Sequence, residues 1–408
     1  MSYNQGCGIV LLLMNRFLLF VCLLILIFAE IFRVYLVMPY PGSQVKNTIL
    51  FAHWLNVNIT WIRILSGAVL LGIIFSLFAK GQAWEKLILS VTVISYGAVF
   101  YLFNYKLAAD KIFYQPNINV NSYANDSLDR SKLVIGVTIQ GEAKAYPIQL
   151  IGYHHQVRDT VGNTEVMITY CTVCRTGRVF SPLVKGKSES FRLVGMDHFN
   201  ALFEDRSTKS WWQQATGRAI AGPLKGTVLK EFPSNQLTLD AWLRKHPDSK
   251  IMRPDMTFMD NYFRLEDYDK GRMRSDLVRR DFVSWNPKAW VIGVKNGNVS
   301  KAYDWNQLVA KRIIEDSIAN MPVLLTIESD TTSFHAYDRR VKGVVLNFIK
   351  NSENDLLTDQ NTKSTWNVDG LCIDGPLKDQ RLTPVQAYNE FWHSWQTFQA
   401  NTERYITN

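Results

Sequence analysis

At 408 residues, with 47% hydrophobic and 20% charged side chains, the chain is too long for one ordinary domain and too apolar for wholesale disorder. Its net charge of +9 is diffuse, and the densest basic stretch, Arg272 to Arg280, is broken by Asp276 and bounded by Asp281. That stretch reads as a solvated face, with contact to anionic lipid headgroups the weaker alternative, and no zinc-finger or aromatic RNA-binding signature points to nucleic acid.

Three apolar segments open the chain, at about 17–37, 61–79 and 87–103. A bilayer crossing needs ~20 mainly apolar residues, so region 1–105 is expected to form three transmembrane helices whose partner is the lipid bilayer. The short polar connection Lys80 to Lys86 makes the second and third a membrane hairpin. A cleaved signal peptide is the alternative for the first, because Arg16 precedes an apolar run, but no small-residue cleavage site follows. Arg16, Lys80 and Lys86 lie on one side of the spans, whereas Arg33, Lys46, Arg63, Lys106 and Lys111 lie near the other. Taken literally, this count would put the carboxyl-terminal region in the cytoplasm.

After a linker at 106–130, the remainder reads as a mainly β (β-rich α+β) structure in two internally duplicated halves, 131–254 and 287–400, joined by a segment at 255–286. Val134-Ile135-Gly136-Val137 and Lys144-Ala145-Tyr146 recur 157 residues on as Val291-Ile292-Gly293-Val294 and Lys301-Ala302-Tyr303. Asp205, Thr208, Lys209, Ser210 and Trp212 recur 154 residues on as Asp359, Thr362, Lys363, Ser364 and Trp366. Gly222-Pro223-Leu224-Lys225 and Trp242 recur 153 residues on as Gly375-Pro376-Leu377-Lys378 and Trp395. A period this long is a domain duplication, unlike the short units of solenoids. Gln140-Gly141 predicts a hairpin turn between extended runs starting at Leu133 and Lys144, and Glu165–Tyr170 predicts a strand that delivers Cys171 at its end.

Cys171-x-x-Cys174 occurs in the first half only. The 157-residue offset carries Cys171 and Cys174 onto Glu328 and Thr331, and His154 and His155 onto Lys311 and Arg312. Residues present in both halves are therefore expected to build the fold, and residues confined to one are candidates for a site. The pair suits a structural disulfide, a redox couple (Cys171 and Cys174 as the reactive thiols), or two ligands of a soft metal ion such as zinc or copper. The metal ligand set is His155, Cys171 and Cys174, with His154 and His198 in reserve. Thioredoxin architecture is disfavoured because an extended run follows the pair, and Arg175 in place of His excludes the haem-attachment signature. Asp205, Ser210 and Trp212 are read as a turn rather than a hydrolase site, since the second half repeats them. No Gly-rich phosphate loop, nucleophile elbow or His-Glu-x-x-His helix is present.

The chain resembles the family catalogued as domain of unknown function 3179. The resemblance rests on Gly152-Tyr-His154-His155-Gln-Val-Arg-Asp159, Thr169-Tyr170-Cys171-x-x-Cys174-x-Thr176, Asp205-x-x-Thr208-x-Ser210-x-Trp212-x-Gln214 and Gly217-x-Ala219-Ile220-x-Gly222-Pro223-Leu224-x-Gly226. It covers about residues 130 to 400, and the four motifs occur in order. It implies an exported or membrane-tethered bacterial protein and no particular activity. On that ground the carboxyl-terminal domain is expected outside the cytoplasmic membrane, against the charge count. The expected function is a membrane-anchored extracytoplasmic protein whose Cys/His site binds a soft metal or cycles between thiol and disulfide. The alternative is an envelope interaction or scaffold protein in which Cys171–Cys174 is a structural disulfide; whether the protein is an enzyme stays open.

Overall fold

A computed structural model describes residues 3–117, 128–351 and 354–406. Residues 118–127 of the linker at 106–130 lie outside the described residues.

Helices α1 (Tyr3–Tyr35), α2 (Ile49–Lys80) and α3 (Ala83–Tyr105) form an amino-terminal bundle, and three helices are long and apolar enough to cross a membrane. Glu30 is fully buried among them and accepts from Arg63 Nε (2.7 Å) and Nη2 (2.8 Å) and from Asn104 Nδ2 (2.9 Å). A carboxylate in this setting needs such a forked partner, because an unpaired buried charge is strongly destabilising. Helix α2 starts twelve residues before the apolar run at 61–79, since its first turns face protein: His53 Nε2 lies 2.9 Å from the carbonyl of Lys209, and Asn56 donates to Glu204 (3.2 Å). Hydropathy alone could not extend the helix through these polar residues.

The linker also carries structure. Helix α4 (Ala109–Ile112) and Phe113 pack into the same core as Cys171 and Cys174, together with Val34 and Met38 from the end of α1. The Val37 carbonyl accepts the amide of Met196 (2.6 Å), and a Cβ on Gly195 would lie 2.2 Å from that oxygen. The helical bundle is thus docked on the sheet domain rather than tethered at a distance.

The sheet domain begins with β1 (Leu133–Ile139) and β2 (Glu142–Pro147), an antiparallel hairpin whose turn residues Gln140 and Gly141 both have positive φ. Helix α5 (Ile148–His154) follows and ends at His155 in the left-handed region, φ 60°. A meander of β3 (Gln156–Val161), β4 (Thr164–Cys171) and β5 (Thr176–Phe180) comes next. A four-stranded sheet then runs Phe191–Asp197, Asn200–Asp205, Trp211–Gln213 and Ala219–Ala221.

From Trp290 onward the order is the same: hairpin Trp290–Asn296 and Val299–Asp304, helix Trp305–Lys311 ending in left-handed Arg312, meander Ile313–Asp338, and a four-stranded sheet ending at Cys372–Asp374. The registers agree, with Gly136 opposite Ala145 and Gly293 opposite Ala302. Trp242 packs on Gly136 as Trp395 packs on Gly293, and in each case an added Cβ would lie 2.3 Å from the indole.

The repeated Asp motif is a turn. Asp205 accepts from the Thr208 amide (2.5 Å), the Ser210 amide (3.2 Å) and Trp212 Nε1 (2.9 Å), while Asp359 accepts from the Thr362 amide (2.6 Å) and Trp366 Nε1 (3.0 Å). Carboxylates so occupied cap backbone and anchor a core indole, leaving no free base for hydrolysis.

Candidate functional site

Cys171 is the last residue of β4, opposite Thr176 of β5, so Thr172, Val173, Cys174 and Arg175 form the reversal between two strands. Arg175 takes φ 56° to close it. A pair placed this way has no helix behind it, and its electrostatics must come from elsewhere in the fold.

Both cysteines are fully buried and neither is in a disulfide. The carbonyl oxygen of Phe199 lies 3.4 Å from Sγ of Cys171 and 3.3 Å from Sγ of Cys174. Burial pushes both thiols toward the protonated form. For Cys171 this is outweighed by the thiol hydrogen bond from Cys174, the backbone amides of Ala201 and Cys174, and the nearby Lys288 ammonium, so its pKa falls below the ordinary value. For Cys174, burial and then the Cys171 sulfur raise the pKa well above that value. Cys171 can donate to Phe199 only as a thiol. The cationic and amide surroundings favour ionising Cys171 and leaving the shared proton on Cys174.

The second half supplies the rest of the surroundings. Lys288 Nζ donates to the carbonyl of Val173 inside the Cys turn (2.7 Å) and lies 3.2 Å from Nε2 of His393. Burial lowers Lys288 to about 8 despite the neighbouring cysteines. Burial and then Lys288 lower His393 to about 3, so the imidazole is neutral near pH 7. Ser394 approaches Cys174 and bonds Thr176 Oγ1 (3.2 Å) and Glu390 (2.8 Å), and the Phe391 amide donates to the Cys174 carbonyl (3.0 Å).

Two flanking arginines tie the halves together below the turn. Arg175 Nε donates to Asn389 (2.5 Å), and its guanidinium lies 3.7 Å from the ring centre of Trp290. Arg178 bonds Glu390 (2.5 Å) with both side chains buried. From the connecting segment, Tyr268 donates to the carbonyl of Thr172 (2.8 Å), and Tyr262 and Tyr268 both pack into the core of the first half.

The lid over the sulfurs is a two-residue turn, His198–Phe199, between strands paired through Asp197 and Asn200. Its φ angles are 49° and 65°. Such a turn normally takes Asn-Gly, and two bulky residues there carry backbone strain. The turn is pinned by Gln44, which accepts the Phe199 amide (3.2 Å), and by the His198 Nδ1–Asp197 contact of 2.8 Å. That hydrogen bond raises the His198 pKa.

The histidines expected beside the cysteines are engaged elsewhere. His154 Nδ1 lies 2.5 Å from the Tyr114 carbonyl, and its Nε2 lies 2.6 Å from the Tyr262 hydroxyl. His155 Nδ1 lies 3.0 Å from the Tyr170 carbonyl, its ring stands 4.5 Å from that of Phe113, and burial lowers its pKa to about 4. Among the described residues no group of three His, Cys, Asp or Glu is placed to hold a metal ion, so the set His155, Cys171 and Cys174 with reserves His154 and His198 is not assembled for zinc or copper. Adjacency in sequence misled because His154 ends a helix whose side chains turn toward Tyr114 and Tyr262. Lys288 and His393 were missed because no spacing rule links residue 171 with residues 288 and 393.

The family model described as Protein of unknown function (DUF3179) matches residues 112–402. The chain belongs to that family. The family match takes in both halves, the connecting segment, the Cys turn, Lys288 and His393, and it leaves out the three apolar helices. No curated protein and no solved structure matches the chain.

Proposed function

We propose that this protein is a membrane-anchored dithiol centre in which Cys171 and Cys174 cycle between thiol and disulfide. The observation that carries the reading is that the two unbonded sulfurs share the Phe199 carbonyl beside the ammonium of Lys288. The thiolate of Cys171 attacks one sulfur of an organic disulfide, forming a mixed disulfide and expelling the first thiolate. Cys174 then loses its proton to that leaving thiolate and attacks Sγ of Cys171, expelling the second. The substrate gains two electrons, and the pair becomes a disulfide. Because both sulfurs are buried, the strained His198–Phe199 turn is the element that opens to admit the substrate.

We place the sheet domain on the outer face of a bacterial cytoplasmic membrane, as the exported character expected of the family suggests. A single cysteine installed at exposed Lys187, labelled in intact cells with an impermeant maleimide, tests this; protection until lysis would overturn it.

The central test is a titration of full-length protein in detergent against glutathione buffers, with Cys171 and Cys174 followed by mass spectrometry. A reversible two-electron transition is expected. A bond that forms once and resists mild reductant would favour the scaffold reading, which the complete burial of the pair supports.

A further inference from the structure

We propose that the cleft between the connecting segment and the second half binds a saccharide unit carrying a carboxylate. The cleft has a volume of about 500 Å³ and is lined by Asp269, Arg280, Phe282, Trp290, Trp305 and Thr332, among others. Three of these residues hold buried polar atoms with no hydrogen-bond partner: Asp269 Oδ1, Arg280 Nε and Trp290 Nε1. Buried polar groups are nearly always paired, and a cluster of orphans around one cleft is the expected mark of a ligand site.

The chemistry of the orphans defines the ligand. Arg280 forms no ion pair among the described residues; its Nη2 donates to Asn306 (2.6 Å) and its guanidinium stacks on Trp290, 4.1 Å from the ring centre. Arg175 stacks on the same indole at 3.7 Å, so two guanidinium charges share one aromatic ring with no carboxylate bonded to Arg280. Burial and then this neighbour lower the Arg280 pKa to about 10, with Asp304 only partly offsetting them, so the guanidinium is an incompletely compensated cation. A carboxylate on the ligand answers it bidentately.

Asp269 accepts the Leu133 amide through Oδ2 (2.9 Å), so its other oxygen requires a donor such as a sugar hydroxyl. Phe282, 59% exposed, lies over the Arg280 guanidinium at 4.6 Å and is the side chain whose rotation uncovers it. Its exposed ring offers an aromatic face on which the apolar side of a pyranose ring stacks. A simple inorganic anion would leave the Phe282 ring and Asp269 unused, and a neutral sugar would leave Arg280 unanswered.

The test is calorimetric titration of full-length protein in detergent with a galacturonic acid oligosaccharide, a neutral glucose oligosaccharide of equal length and inorganic phosphate. The uronate oligosaccharide is expected to bind, more weakly at high salt, with Arg280→Gln and Phe282→Ala each reducing affinity roughly tenfold or more. Phe282 is mostly exposed, so its truncation leaves the fold intact, and Cys171→Ser should bind as the parent does. Absence of uronate binding, equal binding of the neutral sugar or phosphate, or indifference to both variants would overturn the proposal.

Discussion

Nζ of Lys288 and Nε2 of His393 meet at 3.2 Å beside the carbonyl of Val173, so two residues of the second half sit at the turn that carries the cysteines of the first. A lysine in this position acts on Cys171 through charge. Lys288→Met removes that charge and should slow alkylation of Cys171 by iodoacetamide several-fold near pH 7, since only the thiolate reacts. The difference should vanish in strong alkali, where both proteins are ionised. Equal rates at neutral pH would mean that Lys288 serves packing alone.

The two thiols are expected to separate with pH. Cys171 has its folded pKa below the ordinary thiol value and Cys174 well above it. In the linkage sense, the depressed Cys171 contributes stability present above its unfolded pKa and lost as pH falls through its folded one. Its alkylation should fall off as pH falls through the same folded pKa. In Cys171→Ser the contribution of the Cys171 sulfur is gone but burial remains, so Cys174 should react more slowly near pH 7 than Cys171 does in the parent. A Cys174 that reacts as fast as Cys171 in the parent would reverse the assignment of nucleophile.

The lid turn makes a stability prediction of the opposite sign from most substitutions. His198 and Phe199 occupy two left-handed positions, so His198→Asn with Phe199→Gly should relieve about 1–2 kcal/mol of backbone strain. Thermal unfolding in detergent should shift upward by a few degrees. The Phe199 carbonyl is kept, so the thiols stay covered. A lower midpoint would show that the Phe199 ring, which stands 6.2 Å from His393, contributes more packing than the strain costs.

Much of the frame was legible in the sequence. The apolar runs named the three helices long and apolar enough to cross a membrane, and the offset motifs placed the hairpins at Gly136 and Gly293 because those patterns encode local periodicity and close packing. The Asp205 and Asp359 turns were readable because the side chain satisfies backbone within five residues. The Cys pair was readable for the same reason of proximity. What surrounds it was not: Phe199 reaches the sulfurs, and Lys288 and His393 reach the Cys turn, through tertiary packing, and tertiary neighbours leave no spacing in a single chain. The histidines misdirected the reading because Tyr262 and Tyr114 claim His154, while His155 does reach the adjoining strand but meets the Tyr170 carbonyl there.

Gly136 is the most stringent test of how each half closes. It lies mid-strand opposite Ala145, where a side chain would ordinarily be welcome. Here a Cβ would meet Trp242 at 2.3 Å, and Trp242 cannot retreat, being almost fully buried with its Nε1 donating to Ser249 (2.7 Å). Gly136→Ala should therefore destabilise the protein by about 1–3 kcal/mol or more through overpacking. Gly293→Ala should do the same against Trp395, whose Nε1 donates to Thr402 (2.7 Å). Chemical denaturation of the two variants should give losses of similar size. If Gly136→Ala unfolds at the parent's midpoint, the indole does not sit on the strand as closely as this packing requires, and the equivalence of the two halves at this point is lost with it.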